Sequence, residues 1–425
     1  MNILIQHGMY FDETDGELRT GDIAVAGGKI LNLGAVPSEF HADHILKAAG
    51  CFVTPALVNA HTHLAMSLFR NLADDMSLMD WLEHKIWPLE EKMGPSELYW
   101  ASMLSMVELI RGGVTASADM YFGMDQVAQA AIDSGLRLNA AVGLTGDRRT
   151  AREKLRSFRD FFHQWEGAGE GLIRVDIGPH APYTCDDGCF EEAAACAADL
   201  DCGIHVHLSE TAGEVEETKN RFGLSPVELA ARSGLFDQRC IAAHCVHVDR
   251  QDIELLNNSN VHVVHNPSSN LKLASGFARV KEMMDMGVNL AIGTDGSSSN
   301  NNLNMFEEMH LTALLAKALS GDPTALPAGQ VLRMASVGGA AALGLPESGG
   351  RLRIGAPADI ILVRMDGVHN SPLHDPRAAM VYSAQAADVD SVICNGRLLM
   401  ERRRLPHLDE VEIRRKAQEA FEHLQ

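Results

Sequence analysis

Phe52-Val53-Thr54-Pro55-Ala56-Leu57-Val58-Asn59-Ala60-His61-Thr62-His63-Leu64 joins an apolar run to two histidines that stand two residues apart. On an extended strand, residues i and i+2 point to the same face. Both imidazoles therefore aim at one point, which is what a shared metal ion needs. A single HxH pair is a weak sign, so its meaning depends on whether other stretches deliver further ligands to the same place.

Apolar β-like runs recur beyond it. Counting Val53 to Asn59 as the first, the others are Val114 to Ala118, Leu136 to Leu144, Ile173 to Gly178, Gly203 to Leu208, Cys240 to Ala243, Val261 to Val264 and Asn289 to Gly293, eight in all. Helical stretches are expected between them at 97–111, 126–134, 152–165, 190–200, 225–233, 252–257 and 278–286. Strand–helix alternation on this scale predicts an α/β chain folded as a (β/α)8 TIM barrel, whose chemistry sits at the C-terminal ends of its strands. The flanks have a different texture. Ile3-Leu4-Ile5, Asp22 to Val25, Lys29 to Leu33 and His44 to Leu46 read as short strands, with a hairpin turn at Gly27-Gly28. Ile360 to Val363 and Val389 to Cys394 repeat that texture, and an amphipathic helix from about Asp409 closes the chain on Val411, Ile413, Ala417, Ala420, Phe421 and Leu424. Residues 1–53 and 348–425 are thus expected to pair into a small β-sandwich domain built from both chain ends, with 54–347 as the barrel.

Composition sets outer bounds. The 425 residues are 46% hydrophobic and 22% charged, as in an ordinary globular protein. The net charge of −21 argues against a nucleic-acid partner, which needs a positive face. Eight scattered cysteines without a CxxC pair read as reduced thiols. No signal peptide and no bilayer-spanning run is visible, so a cytoplasmic protein with no membrane partner is expected.

The strand ends carry the decisive pattern. The first run ends in His61 and His63, the fourth in His180, the fifth in His205, His207 and Glu210, the sixth in His244 and His247, the seventh in His265-Asn266 and the eighth in Asp295. In a barrel these converge on one mouth. Three histidines and one carboxylate suit zinc and leave a position open for water; His61, His63, His207 and Asp295 fit. Nitrogen and oxygen donors also suit Fe2+ or Mn2+. The fourth run offers no lysine to bridge a second metal, which favours one ion per subunit.

The same stretches resemble the amidohydrolase superfamily, and within it the branch of 5-methylthioadenosine/S-adenosylhomocysteine deaminases, relatives of guanine deaminases and triazine hydrolases. The resemblance runs from about Ile23 to Gly396. It rests on Pro55 to His63, Trp81 through Pro88-Leu89-Glu90, Gly178-Pro179-His180-Ala181-Pro182-Tyr183 and His205 to Thr211. Ala243-His244-Cys245-Val246-His247, His265 to Leu273 and Gly293-Thr294-Asp295-Gly296 complete it. It implies that His61, His63, His207 and Asp295 bind the metal. Glu210 would protonate a ring nitrogen and His244 orient the attacking water, while Asp295 also accepts and returns a proton. Glu90 would bind ribose hydroxyls and His180 contact the substrate, with Trp87 beside them in the pocket. Some members hold an amino-acid carboxylate with arginines in the loop after the third strand; Arg148 or Arg149 would serve here. The implied reaction is hydrolytic loss of the 6-amino group of an adenosine-type nucleoside, in a homo-oligomer. The alternatives are the same chemistry on guanine, a pterin or an s-triazine, and a non-catalytic scaffold.

Overall fold

The computed structural model describes residues 1–346 and 349–425. Its strands, in chain order, are β1 (Ile3–Phe11), β2 (Leu18–Ala26), β3 (Lys29–Gly34), β4 (His44–Lys47), β5 (Cys51–Pro55), β6 (Leu57–Thr62), β7 (Val114–Tyr121) and β8 (Arg137–Leu144). They continue as β9 (Ile173–Pro179), β10 (Gly203–Leu208), β11 (Cys240–His244), β12 (His262–His265), β13 (Asn289–Ile292), β14 (Ile360–Arg364), β15 (Val389–Cys394) and β16 (Arg397–Met400). β6 through β13 pair consecutively and in parallel, with β13 returning beside β6, so the eight runs form the expected barrel.

Closure is made at the mouth. Past the end of β13, Asp295 N donates to His61 O at 3.0 Å. Thr294 N donates to Asn59 Oδ1 at 2.9 Å, and Asn59 Nδ2 returns a bond to Thr294 Oγ1 at 2.8 Å. At the opposite end Arg239 Nη2 donates to both oxygens of Asp176 at 2.5 and 2.7 Å, and its Nη1 to Ala342 O at 2.7 Å. The barrel floor is thereby sealed onto the chain that leaves it.

The first apolar run differs from its reading as one strand. Cys51–Pro55 belongs to β5, which pairs antiparallel with β14, and only Leu57–Thr62 enters the barrel. Pro55 has no N–H to continue a ladder. Ala56 is the whole connection, its N–H bonded to Asp359 O at 3.0 Å, while Leu57 N turns to Gly113 O at 3.0 Å. The expected boundary between 53 and 54 therefore falls inside β5, and the one between 347 and 348 lies outside the described residues.

Both chain ends build one mixed sheet, in the order β16-β15-β14-β5-β1-β2-β3, with β4 on β1. β1 pairs β4 along Ile3 to Gln6 and meets β5 at Met9, so the sheet divides there. Ile3, Ile5, Ile23, Val25, Val53, Ile360, Leu362 and Ile393, drawn from both arms, fill a separate core. The C-terminal helix, Glu410–Leu424, buries Ile413, Ala417, Ala420 and Leu424 and packs on the barrel helix Pro95–Arg111 rather than on the sheet. Val411, expected on its apolar face, is 67% exposed in the first turn. All eight cysteines are buried free thiols.

Arg137, at the start of β8, ties barrel to sheet: Nε donates to Asp359 Oδ2 at 3.1 Å and Nη2 to Asn395 Oδ1 at 2.9 Å. The Arg137 and Asp359 side chains are only 11% and 10% exposed. Removing one partner of a buried pair strands the other charge. Arg137→Ala is expected to lower stability by about 3 kcal/mol in urea unfolding. A loss below about 0.5 kcal/mol, the range of ordinary surface changes, would mean that apolar contact alone docks the two units.

Candidate active site

The strand ends bring His61, His63 and His207 together, and His61, His244 and Asp295; within each trio the candidate ligand atoms lie within 4.8 Å of one another. Each ring is oriented from behind. His63 Nδ1 donates to Met120 O at 2.6 Å and His207 Nδ1 to His180 O at 2.8 Å. A carbonyl only accepts, so Nδ1 is the donor in both rings and Nε2 is the atom turned to the centre. His61 Nδ1 lies 2.8 Å from His205 Nε2, and His61 Nε2 is a buried atom with no hydrogen-bond partner. Asp295 Oδ1 stands 3.4 Å from His61 Nε2 and 3.2 Å from His63 Nε2.

The electrostatics fit a cation at this point. Burial opposes charge on His63, yet the Asp295 carboxylate outweighs it and raises that ring to about 9. Burial also raises Asp295, but the close approach of His61 and His63 holds it well below the usual carboxylate range. His61 is lowered to about 4 by burial. His61 and His207, both lowered by burial, converge with His63 on the Asp295 carboxylate, and the negative charge that draws a proton onto His63 is what a divalent ion such as zinc would meet in its place.

Asp295 is further fixed by Ser269 Oγ, which donates to Oδ2 at 2.6 Å, and by Gly296 N, which donates to Oδ1 at 2.8 Å. His244 Nδ1 donates to Asn270 Oδ1 at 2.8 Å, so its Nε2 also faces inward. Several of these residues leave the strands through left-handed backbone: φ is 51° at Ser209, 72° at His244, 45° at Cys245 and 60° at Asp295. For non-glycine residues that conformation is costly and concentrates at functional positions.

Glu210 is buried beside this cluster, with Oε2 at 3.9 Å from His244 Nε2 and Oε1 at 3.4 Å from Ser275 Oγ. Burial pushes its carboxyl above the ordinary value against the pull of His244, which favours the protonated form. Its backbone is held by Glu214, whose two oxygens accept from Ser209 N and Glu210 N at 2.7 and 2.8 Å. The sequence reading missed Glu214. The spacing Thr211-x-x-Glu214 at a helix start is the signal that points to it.

A cavity of about 600 Å3 opens from the cluster. His180 lines it, with Nδ1 at 2.8 Å from Thr184 Oγ1 and a pKa lowered to about 3 by burial, hence neutral. Leu78, Trp81, Leu82, Trp87 and Glu90 reach the cavity from a helical segment at 78–90. That segment contains a π turn at Leu82–Ile86. Pro88, lacking an N–H, cannot complete the α ladder there. Glu90 Oε1 accepts from Tyr121 OH at 2.5 Å.

Five residues stand elsewhere than the sequence suggested. Arg148 does not reach the cavity. It opens the helix Arg148–Trp165 and its guanidinium pairs outward with Glu191 and Glu192. Arg149 is exposed and is likewise absent from the lining. The cation at the mouth is Lys154, further along the same helix, its Nζ at 2.9 Å from Thr145 Oγ1. His205 lies behind His61 rather than at the mouth. His265 faces Phe277 and Leu315 on the far side of β12 from Val264, because strand neighbours alternate faces. His247 points away as well, its Nε2 on Ser275 O at 2.6 Å.

Comparison with known proteins agrees with this architecture. The amidohydrolase family matches residues 52–399. The chain is 47% identical over 421 residues to the 5-methylthioadenosine/S-adenosylhomocysteine deaminase of Desulforudis audaxviator, covering 98% of each chain. It is 49% identical over 380 residues to the enzyme of the same name from Moorella thermoacetica, covering 89% of each. Among solved structures, a zinc-bound adenosine deaminase from Xanthomonas campestris superposes with a TM-score of 0.94 at 34% identity, over 99% of this chain and 98% of that one. A zinc complex of atrazine chlorohydrolase from Arthrobacter aurescens gives 0.90 at 27%, over 99% and 100%. The barrel, its strand-end histidines and these likenesses together place the chain in the amidohydrolase family.

Proposed function

We propose that this protein is a zinc-dependent hydrolytic deaminase of adenosine-type nucleosides, 5′-methylthioadenosine and S-adenosylhomocysteine foremost, producing the inosine analogue and ammonia. The observation that carries the reading is Glu210: a buried carboxyl, inclined to hold its proton, beside His244 and Asp295. Hydrolysis of an amide or lactone has no ring nitrogen to protonate. Attack on an aromatic C–NH2 carbon does, because the adjacent ring nitrogen must take a proton as aromaticity breaks.

His61, His63, His207 and Asp295 would hold the ion. When bound, it supplies the Lewis acidity that makes water nucleophilic near neutral pH. Fe2+ or Mn2+ suits the same donors. His244, with Nδ1 tied to Asn270, accepts an O–H of the attacking water at Nε2 and aims its oxygen at C6. Asp295 takes one water proton while Glu210 gives its proton to N1. On collapse the C6–N bond breaks, and the departing amine leaves as ammonia with the Asp295 proton. The C6 hydroxyl proton returns to Glu210, N1 stays protonated, and both carboxyls are reset.

Glu90 accepts the ribose hydroxyls, a role with no partner on a bare base or triazine, and His180 contacts the purine or ribose. The apolar wall of Leu78, Trp81 and Trp87 suits a thioether substituent, and Lys154 at the mouth suits the carboxylate of a longer one. No helix among the described residues is long and apolar enough to cross a membrane. A cytoplasmic homo-oligomer completes the proposal.

Ammonia release from 5′-methylthioadenosine, S-adenosylhomocysteine and adenosine is expected to exceed that from guanine, a pterin and melamine; the reverse order would move the enzyme to another ring. Glu210→Gln, loaded with metal, is expected to lose about 10²- to 10⁴-fold in kcat, and normal turnover would sink the acid role. Chelation should remove one ion per chain by elemental analysis and lower the melting temperature, because binding to the native state stabilises it. Lys154→Met is expected to raise KM for S-adenosylhomocysteine about two- to fivefold relative to 5′-methylthioadenosine, the size of an exposed ion pair. An equal effect on both would take the carboxylate away from Lys154.

A further inference from the structure

Three successive residues at the end of β7 each hold a different part of the site. Asp119 Oδ1 accepts from Leu64 N at 2.8 Å, just after the HxH pair. Met120 O accepts a hydrogen bond from His63 Nδ1 at 2.6 Å. Tyr121 OH donates to Glu90 Oε1 at 2.5 Å. The Tyr121 ring is itself fixed. It is buried, stacked on Phe122 at 4.4 Å between centroids, and 6.3 Å from the His63 ring.

Glu90 has little else to hold it. It ends a helical segment interrupted by the π turn and by Pro88, and the hydroxyl of Tyr121 is the one protein group recorded on its carboxylate among the described residues. A phenol has one proton to give. With that proton on Oε1, the Oε2 lone pairs stay free toward the cavity, and a carboxylate so placed can accept from both hydroxyls of a ribose diol. Burial raises the Glu90 carboxyl and the Tyr121 bond opposes that rise, which helps keep it ionised.

We propose that Tyr121 is a positioning residue for nucleoside recognition: its hydroxyl orients Glu90 toward the ribose, and its place next to Met120 fixes the distance from the metal centre to the sugar. The proposal rests on the reading of Glu90 as the ribose-binding carboxylate. On this view one strand end measures the substrate, from the reacting ring carbon to the 2′ and 3′ hydroxyls. It assigns to the barrel scaffold a discrimination that would otherwise belong to the 78–90 segment alone.

The test compares kcat/KM for 5′-methylthioadenosine and its 2′,3′-dideoxy analogue in the parent enzyme, Tyr121→Phe, Glu90→Gln and the double variant, each checked for metal content. The ribo-over-dideoxy ratio is expected to fall about tenfold in Y121F, carried by KM rather than kcat, as for loss of a bond to a charged group. In E90Q it should fall at least as far, and in the double variant no further than in E90Q. If E90Q loses the ratio while Y121F keeps it, or if the two losses multiply, the positioning role is overturned and the ribose reading stands. If E90Q keeps the parent ratio, the ribose reading itself fails and takes the inference with it. Should Y121F not fold, Tyr121→Met fills the space without a donor and carries the same expected ratio.

Discussion

The backbone bond from Asp295 N to His61 O joins the last barrel strand to the first, and it does so through two of the proposed metal ligands. An eight-stranded parallel sheet has two open edges until its ends meet. A hydrogen bond adds only about 1 kcal/mol net, but an unpaired buried N–H costs about 1–3 kcal/mol. The penalty for leaving this seam open is therefore larger than the reward for closing it. The same bond helps hold Asp295 in its left-handed conformation, whose cost is about 1–2 kcal/mol. Gly296 N and Ser269 Oγ fix the carboxylate at the same time. Fold closure and ligand placement are thus a single event.

Around this seam the histidines are held by unlike partners. His63 and His207 lean on carbonyls, which accept whatever the pH. His61 leans on another imidazole, and His205 can accept only while it is neutral. Burial secures that, pushing its pKa well below the ordinary value. The acid side is built on the same plan. Glu214 is buried, and burial raises its carboxyl to about 8, while two backbone N–H bonds keep it in place under Glu210.

The barrel and the convergence of His61, His63, His207 and Asp295 were legible in sequence because both rest on short-range regularity. Parallel strands covered on both faces read as plain apolar runs, and each of these side chains lies in the last residues of its run or within four residues after it. Legibility fell where direction mattered rather than position. His265 ends β12 and His207 stands one residue before the end of β10, but His265 falls on the outer face. His205 has the right parity yet sits one level too deep. Arg148 and Lys154 share one helix, and only the angle at which that helix leaves Asp147 decides which of them meets the cavity and which meets Glu191. Tyr121 and Glu90 are 31 positions apart and joined by one phenolic hydroxyl, a relation without sequence period. The split at Pro55 was signalled by the proline itself, inside an apolar run long enough to pass for one strand.

That split also governs motion. β5 and β6 belong to different units, and Ala56 alone lies between them, with its own N–H tied to Asp359 O. Hinges need a few residues free to change φ and ψ. One bonded residue, reinforced by Arg137 across the same junction, restrains the small domain against swinging. Closing over substrate would then be local, by the 78–90 segment with its π turn and proline. The rate at which product escapes would be set by a few turns of helix, not by the rotation of a domain.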